Sequence, residues 1–444
     1  MRLVRMLGLW FGLAVTVGNT IGGGILRTPG NIAQLLPHQT FFVGVWLIGA
    51  LYALLGANAL AELGTMIPRS GGQFVFARRA FGDYAGFVVG WMDWISTCAS
   101  AAAIAIVLGE SIAVVTRLTS GAAGPIAIAI VALFTLLLLR GTSIGDRAQR
   151  LTSLLKTVVL GGLVVACLVG GRGVDTAAPA TAAAVAQTSA FAAFMLAIQA
   201  VLYTYDGWSA PIYFSEELKD PDREIPRSMF LGLLAITLIY VLINIAFVRA
   251  VPISALAASP LAVGTVANTL FGTRGELLVR LVVIGSLPSA INACLLMASR
   301  VLFAVGRDGL GMRRMTTINR GGAPGRATIV SGLVTVGFLA TGTFEQIIAI
   351  AAFFFVATYA LSFVAVFLLR RHEPQAPRPF RAVGHPWTTG IVLLGSLAFL
   401  AAAIAGDRRN SLIGLALVIV SYPAFRLSRP AGVPLPSADP YLSE

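Results

Sequence analysis

Apolar runs of roughly 20 residues, separated by short polar stretches, recur along the whole chain, and each is long enough to cross about 30 Å of hydrocarbon at 1.5 Å per residue. They fall at roughly 7–36, 41–66, 84–114, 123–140, 150–170, 190–214, 229–250, 277–305, 327–342, 344–369, 388–405 and 410–426. The pattern predicts an all-α integral membrane protein of 12 transmembrane helices, a single domain over 1–428 with no room for a separate soluble one. The ninth and tenth runs nearly touch at Gly342, with TGTFE as the only turn between them. The first run follows Arg2 and Arg5 as a signal peptide would, but no small-residue cleavage site follows it, so it is expected to be a retained span. The proline-rich tail 429–444 is expected to be disordered and cytoplasmic.

Two of these runs are interrupted. The first contains VGNTIGGGIL, Val17 to Leu26, and the sixth contains Asp206 and Gly207, with Pro211 a turn later. Gly18 and Gly22 alone fit a G-x-x-x-G contact between helices. Gly23 and Gly24 do not, because each further glycine costs a helix about 1 kcal/mol relative to alanine and adds nothing to one packing face. Irregular backbone at membrane depth survives only where it is buried in protein or lines a wet cavity. Both interruptions open a group of five spans, about 7–170 and about 190–369, with two further helices at about 388–426. Paired interruption of this kind points to a transporter of inverted repeats. Broken helices expose N–H groups at one half-helix start and C=O groups at another half-helix end, and an α-amino acid carries both complementary charges.

Composition agrees. The chain is 57% hydrophobic and 11% charged, with a mean hydropathy of +0.85. Its net charge of +13 reports topology rather than nucleic-acid binding, since the basic residues fill alternate loops instead of forming one patch. With the N-terminus inside, the outer loops hold only Arg27, Arg117, Arg172, Arg249, Arg274, Arg408 and Arg409. Both termini are then cytoplasmic. Cys98, Cys167 and Cys294 all lie in apolar runs and are expected to be packing residues rather than disulfides or metal ligands. His38, His372 and His385 share no helical face, so no metal, cofactor or catalytic constellation is expected.

Four of the charged residues within spans bear on function or packing. Asp206 lies too deep for its short side chain to reach water; it either caps a half-helix restarting at Gly207, or serves proton coupling or a substrate amine. Lys156 is one of only two lysines, and either snorkels to the inner interface or acts as a fixed internal cation. Asp93 is expected to pair with a basic residue of an inner loop, and Arg300 to snorkel inward.

The stretch ALLGANALAELGTMIPRSGGQFVFARRAFG, Ala53 to Gly82, resembles the second-helix and loop signature of the amino acid/polyamine/organocation transporter superfamily. VGNTIGGGIL, YTYDGWSAPIYFSEELKDPDREIPRS and SRVLFAVGRDGLGMRRMTTINRGGAPGRA resemble it too, in family order, most closely in bacterial permeases related to L-type amino acid exchangers. The resemblance implies a LeuT-type five-plus-five inverted repeat with broken helices 1 and 6. It also implies that the substrate carboxylate meets backbone N–H groups of Ile21, Gly22, Gly23, Gly24 and Ile25, and that the amino group meets carbonyls near Thr16 to Asn19 and Tyr203 to Tyr205. The implied substrate site thus spans Thr16, Gly18, Asn19, Thr20, Ile21 to Ile25, Tyr203, Thr204, Tyr205, Asp206 and Gly207. Tyr203 matches an aromatic gate, and Lys156 matches a fifth-helix lysine that replaces a sodium ion and bonds to the first-helix backbone. Gly23 departs from relatives with serine there, and Asp206 from those with glycine.

The function expected is sodium-independent transport of neutral L-amino acids across the cytoplasmic membrane by exchange or proton symport, with no accessory subunit. A cationic amino acid or polyamine is the alternative substrate, and a non-transporting membrane sensor the alternative class.

Overall fold

The computed structural model describes residues 8–69, 71–140, 145–170, 189–257, 259–311, 313–319 and 324–428. The tail expected to be disordered lies outside them, as does Arg172. Among the described residues all regular structure is helical. In chain order the helices are α1 (Leu9–Thr20), α2 (Gly23–Leu35), α3 (Gln39–Met66), α4 (Gln73–Phe81), α5 (Asp83–Val115), α6 (Ala123–Arg140), α7 (Gly145–Gly170), α8 (Ala190–Tyr205), α9 (Pro221–Ala250), α10 (Ile253–Ala257), α11 (Ala262–Arg307), α12 (Gly325–Thr341), α13 (Phe344–His372), α14 (Trp387–Gly406) and α15 (Arg408–Ser428).

Counting α1–α2 as one span and α8 with the turns after it as another, 10 described segments are long and apolar enough to cross a membrane. Two shorter apolar helices, Leu154–Gly170 and Gly325–Thr341, stand where the fifth and ninth runs were expected. The chain is thus a multi-pass membrane protein. Burial separates its layers: 83% of the apolar window of α13 is inside the protein, against 17% for α6 and 22% for α15. The long α5 packs on α4, α6, α11, α12, α13 and α15 and forms the centre.

Both interruptions break helices, for local reasons. Helix α1 stops at Thr20; Ile21 (φ −76°, ψ 80°) forms a tight turn in which the Gly22 N–H donates to the Thr20 carbonyl at 2.8 Å, Gly22 (φ −119°, ψ −152°) is extended, and α2 starts at Gly23. The unwound part is therefore shorter than GNTIGGG, and Gly23 and Gly24 are helical. Helix α8 stops at Tyr205, Asp206 is extended and Gly207 takes φ +112°, a left-handed conformation that glycine adopts without a Cβ penalty. The chain restarts at Ala210, not Gly207, and as a tight 3₁₀ segment, Ala210–Glu217, with Pro211 in its first turn.

Arg300 meets Glu217 at 3.6 Å and covers the Phe214 ring, so it is half-buried against the 3₁₀ segment rather than directed wholly into water. A deeper pair fixes the C-terminal helices. Glu62, 1% exposed, accepts 2.8 and 2.6 Å bonds from Arg370 and a 2.7 Å bond from the Ala382 N–H, with Arg378 at 3.3 Å. This ties α3 to the end of α13 and to the loop leading into α14. Removing one partner of such a pair leaves uncompensated buried charge, so Glu62→Gln is expected to destabilise the protein by about 3 kcal/mol or more. The check is a lowered Tm of the purified protein in detergent.

Candidate functional site

The two breaks lie against each other. A Cβ on Gly207 would stand 2.9 Å from the Thr20 hydroxyl and 3.0 Å from the Thr20 nitrogen, and one on Gly24 would stand 2.9 Å from the Thr204 hydroxyl and 3.1 Å from its Cα. Each broken segment thus needs a glycine where the other passes. Tyr240 of α9 joins them from behind: its hydroxyl lies 2.7 Å from the Thr20 carbonyl and 3.2 Å from the Thr204 carbonyl, the ends of α1 and α8. At the start of α2, by contrast, no side chain caps the helix, and the first N–H groups of a helix have no helical acceptor. That end carries the positive pole of the helix dipole.

A cavity of about 70 Å³ opens at this junction. Asn19, Thr20, Gly22, Gly23, Gly24, Tyr203, Thr204, Asp206 and Gly207, all expected in the site, line it. The other expected residues stand elsewhere. Thr16 bonds to the Gly12 carbonyl and packs on Gly232 of α9, and Tyr205 packs on Trp46 and Tyr240. Gly18 and Ile25 are buried outside the lining, and Ile21 faces a second small cavity. The carbonyls of Thr16, Tyr203 and Thr204, implied as amine ligands, already accept bonds from Thr20, Asp206 and Tyr240.

Two tyrosines of the cavity wall make contacts beyond it. On one side Tyr203 meets Phe344 edge-on at 6.4 Å, and Arg27 lies 4.5 Å over the same Phe344 ring. Arg27 also pairs with Glu110 at 2.6 Å and Glu345 at 3.2 Å. On the other side the Tyr213 hydroxyl bridges both oxygens of Asp93 at 2.8 Å, beside Gln73, which accepts from Ser362 at 3.0 Å.

Several side chains depart from their expected roles. Asp93 has no basic partner among the described residues; it lines the cavity and is held by Tyr213, because the loop arginines Arg78 and Arg79 are taken by Asp83, Asp308 and Glu373. Asp206 accepts a 2.5 Å bond from the Tyr359 hydroxyl as well as the Gly207 N–H. Cys294, expected to be mere packing, lines the cavity with Met297, whose sulfur is 3.3 Å from the Asn19 amide. A signal for the α5 wall did exist: Asp93, Thr97, Ser100 and Ile104 recur at helical spacing in an otherwise apolar run. For Tyr213, Tyr240 and Tyr359 there was none.

Lys156 is 5% exposed and does not reach interfacial water. Among the described residues its Nζ has no hydrogen-bond partner, and it faces a cavity of about 20 Å³ shared with Ile21, Gly22 and Leu26. It sits directly behind the first break, without the implied bond to that backbone. Among the described residues no three His, Cys, Asp or Glu side chains gather as metal ligands.

Gly24 and Gly23 make opposite predictions. Gly24→Ala drives a Cβ into the Thr204 backbone and is expected to cost about 1–3 kcal/mol, whereas a Cβ on Gly23 meets only Val107 and Ile104 at 3.4 and 3.5 Å. Thermal unfolding of the two purified variants separates them, with Gly23→Ala expected to melt close to the parent.

Comparison with known proteins fits this geometry. The family model described as "Amino acid permease" matches residues 7–421. The chain is 27% identical over 430 residues to the serine/threonine exchanger SteT of Bacillus subtilis, covering 95% of this chain and 97% of that one. It is also 27% identical to two rabbit (Oryctolagus cuniculus) proteins. These are the b(0,+)-type amino acid transporter 1, over 85% of this chain and 79% of that one, and the large neutral amino acids transporter small subunit 2, over 85% and 72%. None of these relatives is named as an enzyme. With its broken helices facing one cavity and a match over nearly its whole length, the chain belongs to the amino acid permease family of membrane transporters.

Proposed function

We propose that the protein carries neutral L-amino acids across the cytoplasmic membrane by alternating access, without sodium, by exchange or proton symport. In this reading the chain has 12 spans in a LeuT-type five-plus-five inverted repeat with two added helices, both termini in the cytoplasm, and works without an accessory subunit. The observation that carries it is the uncapped start of α2 facing a closed cavity against the second broken helix. The N–H groups at Gly23 and Gly24 and the dipole of α2 suit a carboxylate. Lys156 behind Ile21 and Gly22 puts a fixed cation at the carbonyl end of α1, where an ion would otherwise neutralise the half-helix. The relatives named as a serine/threonine exchanger and a large neutral amino acid transporter favour an uncharged substrate. A second reading, a cationic amino acid or polyamine, is favoured by the two cavity carboxylates, Asp93 and Asp206.

Uptake of a labelled amino acid panel into proteoliposomes tests the proposal. Transport of serine, alanine or leucine without sodium supports it; transport of arginine or putrescine alone selects the second reading, and dependence on sodium overturns the coupling model.

Lys156→Ala is expected to abolish uptake while the protein still inserts and purifies, and parental uptake in this variant would remove the lysine from the mechanism. Arg27→Ala, which frees Phe344 and Glu110, is expected to raise the rate at which Cys294 reacts with a membrane-impermeant thiol reagent added outside. An unchanged rate would show that this closure does not face the exterior.

A further inference from the structure

The reading of the protein as a neutral amino acid transporter leaves Asp93 without a role. It is 3% exposed, lines the transport cavity and meets only the Tyr213 hydroxyl, at 2.8 Å to each carboxylate oxygen. The charges of every neighbouring element are directed elsewhere. On α4, Arg78 meets Asp83 and Asp308, and Arg79 meets Glu373; at the end of α11, Arg300 meets Glu217, and Arg307 meets Glu216 and Asp308. Helix α13 brings Tyr359 and Ser362, the first bound to Asp206 and the second to Gln73. Helix α12 brings Ser331, bound to Trp94, and α15 receives the Trp91 N–H. Lys156 of α7 faces the other cavity. Among the described residues, then, the cavity holds two carboxylates and no cation.

A carboxylate ion in such a place costs several kcal/mol, and one hydroxyl bond recovers only part of it. Either a proton or a cationic substrate must neutralise the site. Position selects between them. Asp93 and Ile104 stand 11 residues apart on one face of α5, roughly 16 Å of helix axis, and Ile104 packs on Gly23 together with Val107, a turn further on. An amino acid whose carboxylate is held at the start of α2 does not extend that far. Asp93 is at the opposite end, beside Gln73 and the Tyr213 bridge that closes the cavity toward the inner loops.

Resting on the reading of the chain as an amino acid transporter, we infer that Asp93 is the proton-carrying residue of a proton-coupled cycle, its carboxyl group taking one proton from the outer water and releasing it to the inner water. When the Tyr203–Phe344 side opens, the cavity and Asp93 face outside and the carboxylate binds a proton, which neutralises it for closure. When the Tyr213 side opens, the carboxyl loses that proton to the cytoplasm as the substrate leaves. Tyr213, which joins α5 to the 3₁₀ segment after the second break, is the positioning residue that links protonation to opening.

The test uses the full chain in proteoliposomes containing a pH-sensitive dye, with labelled serine, alanine, leucine and lysine. Two quantities are read: accumulation driven by acid outside, and counterflow, which needs no net proton movement. The expected result is substrate-dependent acidification inside the vesicles, with the ratio of acid-driven accumulation to counterflow falling by about tenfold or more in Asp93→Asn. Tyr213→Phe keeps the carboxyl but removes its hydrogen bond, and is expected to shift the external pH of half-maximal uptake. An unchanged ratio in Asp93→Asn overturns the inference. So does counterflow in the parent protein with no response to the gradient, which leaves the transporter reading intact as an exchanger. Lysine uptake that acidifies nothing and is lost in Asp93→Asn overturns it in favour of a cationic substrate. Absence of counterflow with every panel member overturns the transporter reading and the inference together. Should Asp93→Asn fail to insert, the pH midpoint of Tyr213→Phe decides, an unshifted value overturning the inference.

Discussion

Every polar group of a backbone inside hydrocarbon needs a partner, and the rest of this structure follows from the two places where helical bonding stops. The ends of α1 and α8 and the start of α2 lie deep in the protein, so their free groups must be met by something other than lipid. At the carbonyl ends, Tyr240 meets both Thr20 and Thr204 with one hydroxyl, and the Thr20 side chain meets Thr16. At the start of α2, among the described residues, no side-chain cap does so. The asymmetry is informative: side chains meet the carbonyls at the junction, whereas no side chain caps the start of α2.

The same constraint explains the surroundings. Broken backbone permits close approach only where no Cβ intervenes, so Gly24 lies against Thr204 and Gly207 against Thr20. A cavity at the junction requires walls that exclude water without filling it, and the aromatic contacts at its two ends serve that purpose. Tyr203 meets Phe344, which also lies beneath the Arg27 guanidinium, and Tyr213 meets Asp93 beside Gln73.

The placement of charge separates structural from functional pairs. Glu62 is bound by two arginines and a backbone N–H, as a buried carboxylate in a structural role should be. Among the described residues Asp93 and Asp206 each have a tyrosine hydroxyl and no cation, and both face the cavity. Lys156 is the reverse case, a buried ammonium with no partner, set behind the first break. The two carboxylates thus line the larger cavity and the ammonium the smaller one, on either side of the first break.

The membrane class, the helical spans and the two breaks were legible in the sequence because they depend on local composition: long apolar runs must be helices in lipid, and glycine clusters with a mid-span aspartate resist a continuous one. The resemblance carried by Ala53–Gly82 and three later stretches supplied the family, and Gly22 to Gly24, Tyr203 and Asp206 do line the cavity. What the sequence alone could not determine was which side chains answer which buried groups. Tyr240 and Tyr359 stand 36 and 153 residues from the groups they meet at Thr204 and Asp206. No periodicity in one helix records a partner on another. For the same reason Asp93 was assigned a loop arginine and Cys294 a place in the packing. A helix face becomes a cavity wall only when the neighbouring helices leave it uncovered, and that was decided by the tertiary structure.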